Sequence, residues 1–217
     1  GRQLWRTMAG RRPPLGGQTS PPCVPMTVSL RTIYFHGLPG SAAELGLVGR
    51  RVPAHWCAVD RSDNRSGSTA DAYFDEVSRR VRELAGDGPL RLVGFSLGAF
   101  AALQVASRIT DRVLSLHLVS ASAPLQSGDF LEHMAGKAVF TIAQRSPLLF
   151  SGLSNVQSVL ARASAKTLLA ALFGSAQGRD LRLIADPQFK AQMTGIVSEG
   201  FGRGLQNYKR EISAYVQ

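Results

Sequence analysis

The run VSLRTIYFH, residues 28 to 36, is dominated by β-branched and aromatic side chains and stops at the breaker sequence GLPG. It predicts a buried strand feeding a loop. A second apolar run, HWCAVD at 55 to 60, predicts another strand. After the polar loop RSDNRSGS the period changes: from Thr69 to Ala85 the positions Tyr73, Phe74, Val77, Val81 and Leu84 recur at helical spacing. The pattern predicts an amphipathic helix with Ser68 as N-cap and Gly86 just past its end. A strand at 91 to 95 (RLVGF), a small-residue helix from Leu97 to about Ser107 and an apolar strand at 112 to 119 (RVLSLHLV) follow. Alternating strands and helices of this kind predict an α/β fold, a parallel sheet flanked by helices.

Beyond Pro124 the pattern is different. No strand is evident, and helical stretches at 129 to 145, 156 to 173 and 203 to 216 predict a helical cap. At the other end, residues 1 to 25 hold five of the eleven prolines and follow neither a strand nor a helix period, which predicts a disordered extension. The chain opens on Gly, and Met26 stands directly before the first strand, so the extension is expected to be upstream sequence that the native protein lacks. Three parts result: an extension (1–25), an α/β core (26–124), and a helical cap with the start of a return to the core (125–217).

Composition changes this picture little. At 217 residues with 44% hydrophobic and 18% charged residues, the chain suits one domain with a real core. The net charge of +10 invites a nucleic-acid reading, but Arg2, Arg6, Arg11 and Arg12 stand together in the extension and the other charges are interspersed. Neither nucleic acid nor a membrane is therefore the expected partner. Cys23 and Cys57 lack metal-ligand spacing and make no disulfide framework, so no metal site is expected. No apolar run is long enough to span a bilayer, and no signal-peptide pattern is present, which makes cytoplasmic residence the expectation.

Chemistry enters at Gly94-Phe95-Ser96-Leu97-Gly98, which has the form GxSxG and falls at the predicted junction of a strand and a helix. A serine raised on so sharp a turn adopts strained backbone angles, and glycines two residues before and after it remove side chains that would collide there. The helix that follows presents its first amides and the positive end of its dipole beside the hydroxyl, so the N–H of Leu97 can stabilise a developing oxyanion. Ala99, Ala101 and Ala102 allow that helix to pack closely. The turn His36-Gly37-Leu38-Pro39-Gly40, after the first strand, supplies further amides for the same anion.

With these residues in view, the sequence resembles the α/β-hydrolase superfamily through HGLPGS (36 to 41), VDRSDNRSGS (59 to 68), GFSLGAFAAL (94 to 103) and LVSASAP (118 to 124). The resemblance implies Ser96 as nucleophile, Leu38 and Leu97 as backbone oxyanion donors, and a cap from about residue 125. His36, Gly37, Gly94 and Gly98 support the two turns. The expected activity is cleavage of an ester, thioester, lactone or similar acyl bond through a Ser96 acyl-enzyme, with no cofactor. Phe130, Met134, Phe140, Leu148 and Phe150 in the cap would favour an apolar acyl group, or simply pack the cap.

In this superfamily an acid and then a histidine follow late strands after the cap. Here the last residues, RGLQNYKREISAYVQ, resemble the helix that precedes the acid-bearing strand, so the last strands of the sheet and both triad partners are expected to be missing. Among the histidines, His36 belongs to the oxyanion turn as a structural hydrogen-bonder, His117 is expected to be a satisfied core residue, His55 begins a strand, and His133 sits in the cap. Asp129 is the first carboxylate after the last predicted strand, a place where a minority of such folds put the acid, and capping a helix explains it equally well. Two other readings stay open: a noncatalytic binding module on the same fold, and hydrolysis of C–C or amide bonds.

Overall fold

The computed structural model describes residues 30–62, 69–134, 136–174 and 176–217 of the chain. The expected extension, Cys23, the first two residues of the first predicted strand and Ser68 lie outside them. Four strands form one parallel sheet: β1 (Arg31–Phe35), β2 (Trp56–Ala58), β3 (Leu90–Phe95) and β4 (Val113–Val119). Their spatial order is β2-β1-β3-β4. Parallel neighbours need crossovers, which are a 3-10 segment (Ala42–Arg51) between β1 and β2, helix α1 (Ala70–Ala85) between β2 and β3, and helix α2 (Leu97–Arg108) between β3 and β4. The right-handed rule for such connections places α1 and α2 on one face and the 3-10 segment on the other.

β1 and β3 are adjacent, yet the chain leaves them in opposite directions, β1 toward β2 and β3 toward β4. That divergence opens a crevice beyond their carboxyl ends, the place where open α/β sheets bind ligands. The register pairs Phe35 with Gly94, so the residues that follow each strand emerge side by side.

Helix α1 is capped by Thr69, whose side chain accepts from the Ala72 amide at 3.2 Å, one residue later than the sequence suggested. Its buried face runs through Tyr73, Phe74, Val77, Val81 and Ala85, while Leu84 is exposed. The steps 73, 77, 81 and 85 keep strict i, i+4 spacing, and Leu84 falls off that stripe. With α2, whose Ala101, Ala102 and Val105 are fully buried, this face packs on Ile33, Phe35, Leu90 and Leu92 of the sheet.

β4 departs from expectation. His117 is exposed, with its Nε2 3.2 Å from the Ser115 hydroxyl, and is no core histidine. Among the described residues β4 is the edge of the sheet, and Leu114, Leu118 and Val119 are exposed as well.

After β4 the described chain is helical: α3 (Lys137–Arg145), α4 (Pro147–Leu172), α5 (Arg179–Ala185), α6 (Pro187–Phe201) and α7 (Leu205–Tyr215). The helix expected from 129 begins only at Lys137, because a short 3-10 turn occupies 131–133 and Met134 after it is extended. α4 begins nine residues before the predicted 156, where Ser146 caps the Leu149 amide and Pro147 takes the first helical position. These helices form a second apolar cluster around Phe150, Leu169, Val197, Phe201 and Ile212, which reaches the sheet layer at Leu97.

Candidate active site

Ser96, the residue between β3 and α2, has φ 54° and ψ −124°. For a side chain other than glycine such angles cost roughly 1–3 kcal/mol and persist only where the surroundings hold them. Here the Ser96 amide donates to the Val119 carbonyl at 3.0 Å, and its own carbonyl accepts from the Ala99 amide at 3.0 Å and the Ser122 amide at 3.3 Å. The flanking glycines are required by contact. A Cβ at Gly94 would lie 2.5 Å from the Ala99 Cα, and one at Gly98 would lie 2.3 Å from the Phe35 carbonyl oxygen. Helix α2 therefore starts pressed against the ends of β1 and β3.

As the first residue of α2, Leu97 has an amide with no carbonyl partner inside the helix, at the positive end of the helix dipole. On the β1 side, the Gly37 amide donates to Glu44 Oε1 at 3.0 Å, and the Tyr34 hydroxyl donates to the same oxygen at 2.6 Å. Burial pushes the Glu44 carboxyl up, against the pull of these two bonds. The Leu38–Pro39 peptide is cis. Leu38, Ser96 and Leu97 line one cavity of about 460 Å³, within the usual size of small-molecule sites.

The cap supplies much of the remaining wall. Phe130, Met134 and Phe140 line the cavity as their apolar character suggested. Leu148 does not, being 85% exposed, and Phe150 is buried within the helical cluster instead. Four more polar side chains stand on the wall: Ser120 and Ser122, within the LVSASAP motif but given no role from sequence, and Gln157 and Tyr208, which sequence reasoning missed. Ser120 takes a positive φ of 45°, and Gln157 Oε1 is buried without a partner. No motif marks Gln157 and Tyr208, because they come from two distant helices.

His36 turns away from this cavity. It is 1% exposed, with Nδ1 2.8 Å from the Gly37 carbonyl, and its own carbonyl accepts from Arg61. Burial first and the Arg61 charge second lower its pKa to about 3, so the ring is neutral at ordinary pH. Arg61 in turn forms a buried ion pair with Glu211 of α7, whose other oxygen accepts from the Tyr73 hydroxyl. His55, His133 and Asp129 are exposed and do not line the cavity, nor does Asp129 cap a helix. Among the described residues no imidazole or carboxylate shares the cavity with Ser96. Nor do any three His, Cys, Asp or Glu side chains among them group to hold a metal ion. No described helix is long and apolar enough to cross a membrane.

A serine on a strand-to-helix turn at the switch point of a parallel sheet, roofed by helices, defines the class of architecture. The chain belongs to the α/β-hydrolase fold family, whose model matches residues 33–154, more than half of its length. Similar among solved structures is one described as "Est816 as an N-Acyl homoserine lactone degrading enzyme", at 17% identity and a TM-score of 0.40. The similarity covers 67% of this chain and 59% of that one, so this chain spans about three fifths of that protein's length. No curated protein matches the sequence.

Proposed function

We propose that the protein is a serine hydrolase cleaving an ester, thioester, lactone or similar acyl bond of a small apolar molecule, with Ser96 as nucleophile. The observation that carries the reading is the strained Ser96 backbone, φ 54°, at the floor of a cavity whose wall includes Leu38 and Leu97. Strain of this kind, held by three backbone hydrogen bonds, places a hydroxyl at the mouth of a helix N-terminus. In the proposed reaction Ser96 Oγ attacks the acyl carbon, its proton passes to a base, and the carbonyl oxygen gathers charge beside the Leu38 and Leu97 amides. Collapse expels the leaving group with a proton, and water then cleaves the acyl-enzyme.

No described residue on the cavity wall is an imidazole or carboxylate able to take that proton. Removing the histidine of such a site costs on the order of a millionfold in turnover. The described residues by themselves are accordingly proposed to be nearly inert. The same observation favours a second reading, a noncatalytic module that binds an apolar acyl compound in this cavity.

Turnover of p-nitrophenyl butyrate by the native gene product separates the two. The hydrolase reading expects turnover that Ser96→Ala abolishes. Undiminished turnover in Ser96→Ala removes Ser96 as nucleophile, and saturable binding of the ester without turnover supports the module.

A further inference from the structure

Beside the His36-Gly37-Leu38 turn lies a second cavity of about 10 Å³, which shares Leu38 and Tyr208 with the wall of the candidate active site. Its lining includes His36, Arg61 and Asn207, which are 1%, 1% and 3% exposed. Each of the three carries one buried polar atom without a partner: His36 Nε2, Arg61 Nε and Asn207 Oδ1. Three residues lining one space thus each hold such an atom, and each atom left unpaired would cost about 1–3 kcal/mol. A volume of this size holds about one water molecule when two to four polar groups surround it.

The hydrogens can be assigned. His36 Nδ1 stands 2.8 Å from the Gly37 carbonyl oxygen, which only accepts, and a longer 3.4 Å from Arg61 Nη2, which only donates; the shorter contact assigns the proton to Nδ1 and leaves Nε2 of the neutral ring an acceptor. The Asn207 amide nitrogen donates to the Arg61 carbonyl, which fixes Oδ1 as the free acceptor. Arg61 Nε–H is a donor. The site thus offers two acceptors and one donor. An ammonium ion cannot accept from Arg61, and an anion cannot donate to the other two groups. Water does both.

We propose that His36 Nε2, Arg61 Nε and Asn207 Oδ1 hold one buried water molecule, and that through it and Arg61 helix α7 positions the His36-Gly37-Leu38 turn. The link is mechanical. Asn207 and Glu211, both on α7, grip Arg61, and Arg61 grips the His36 carbonyl. The His36 carbonyl oxygen is the atom that a Cβ at Gly98 would approach to 2.4 Å, so the turn is fixed between α7's contacts and the start of α2. Asn207 and Glu211 are positioning residues that touch no substrate. That the turn they hold is an oxyanion donor rests on the proposed function; the water site does not.

A crystal structure near atomic resolution tests the first half. The expected result is a single density peak about 2.7–3.2 Å from all three atoms. Absence of the peak, or rotation of the three groups onto protein partners, overturns the proposal. Amide hydrogen exchange tests the second half. Asn207→Leu should speed exchange of the Gly37 amide about tenfold relative to amides within α2. A control, Val81→Ala in α1, removes a fully buried core side chain that does not line this cavity and should not single out Gly37. Equal effects of the two variants on Gly37 exchange, or none from Asn207→Leu, overturn the positioning role. If Asn207→Leu fails to fold, Asn207→Ser, which removes the same amide, takes its place in the exchange experiment with the same expected and overturning results. Neither readout requires turnover, so a failed hydrolase reading would leave both results interpretable.

Discussion

Replacing Gly98 by alanine probes the closest backbone approach at the candidate active site. The added Cβ would lie 2.3 Å from the Phe35 oxygen and 2.4 Å from the His36 oxygen. Relief requires a retreat of about 1 Å to reach ordinary contact. Both oxygens are main-chain atoms, and the second is also held by Arg61, so no flexible side chain can give way. Overpacking of this kind costs at the upper end of its usual range, about 3–4 kcal/mol, and alanine's better helix propensity returns about 1. The net loss is about 2–3 kcal/mol, which for a domain of this size lowers Tm by roughly 5–10 °C. Gly152 of α4 is the matched control, because a Cβ there meets nothing within 4 Å. Gly152→Ala should stabilise by about 0.5–1 kcal/mol. Calorimetry or urea unfolding of both variants measures the difference. If Gly98→Ala is as stable as Gly152→Ala, α2 does not start against the end of β1, and the account of the anion pocket is wrong.

Three further outcomes are expected. Glu211→Leu leaves the Arg61 charge buried and unpaired, and should cost about 3–5 kcal/mol in urea unfolding; a loss below 1 kcal/mol would show that Arg61 is solvated. His36 has a pKa of about 3 when folded against about 6.5 in an unfolded chain, so its contribution is fully present above pH 6.5 and is lost as pH falls from 6.5 toward 3. The full span is worth on the order of 5 kcal/mol. Glu44 and Glu211, pushed up by burial, act in the opposite sense, so the histidine's share is read as the stability difference between wild type and His36→Gln across that range. A flat difference would contradict a neutral buried ring. Finally, these 217 residues should self-associate through the open side of β4, where Leu114 is 68% exposed. Sedimentation velocity should show oligomers that Leu114→Lys reduces, and a monodisperse monomer would argue against the edge.

The sheet was legible because its strands are short apolar runs separated by polar loops or helical periods, with the GLPG breaker after β1 the clearest boundary. The Ser96 turn was legible because a strand pattern, GxSxG and an alanine-rich helix follow one another without a gap. His117 was misjudged for a reason no local pattern carries: a parallel strand looks buried from its composition, and only the identity of its neighbours reveals an edge. In the cap, α5 and α6 went unseen although Asp186-Pro187 is an N-cap followed by a proline at the first helical position. Gly195 and Gly200 within α6 masked that signal, and Gly200 is there because a Cβ would come within 2.6 Å of the Gly40 nitrogen. The polar cluster around His36 and Arg61 was out of reach, since Arg61 and Glu211 stand 150 positions apart. Such pairs are made by the fold and leave no spacing to read.

The central claim is that Ser96 is the reactive hydroxyl, although Ser120 and Ser122 line the same cavity. Peptide mapping of the native gene product after treatment with an alkyl fluorophosphonate tests it most directly. The adduct should fall on the peptide containing Ser96 and disappear in Ser96→Ala. An adduct on Ser120 or Ser122 that survives Ser96→Ala would contradict the account.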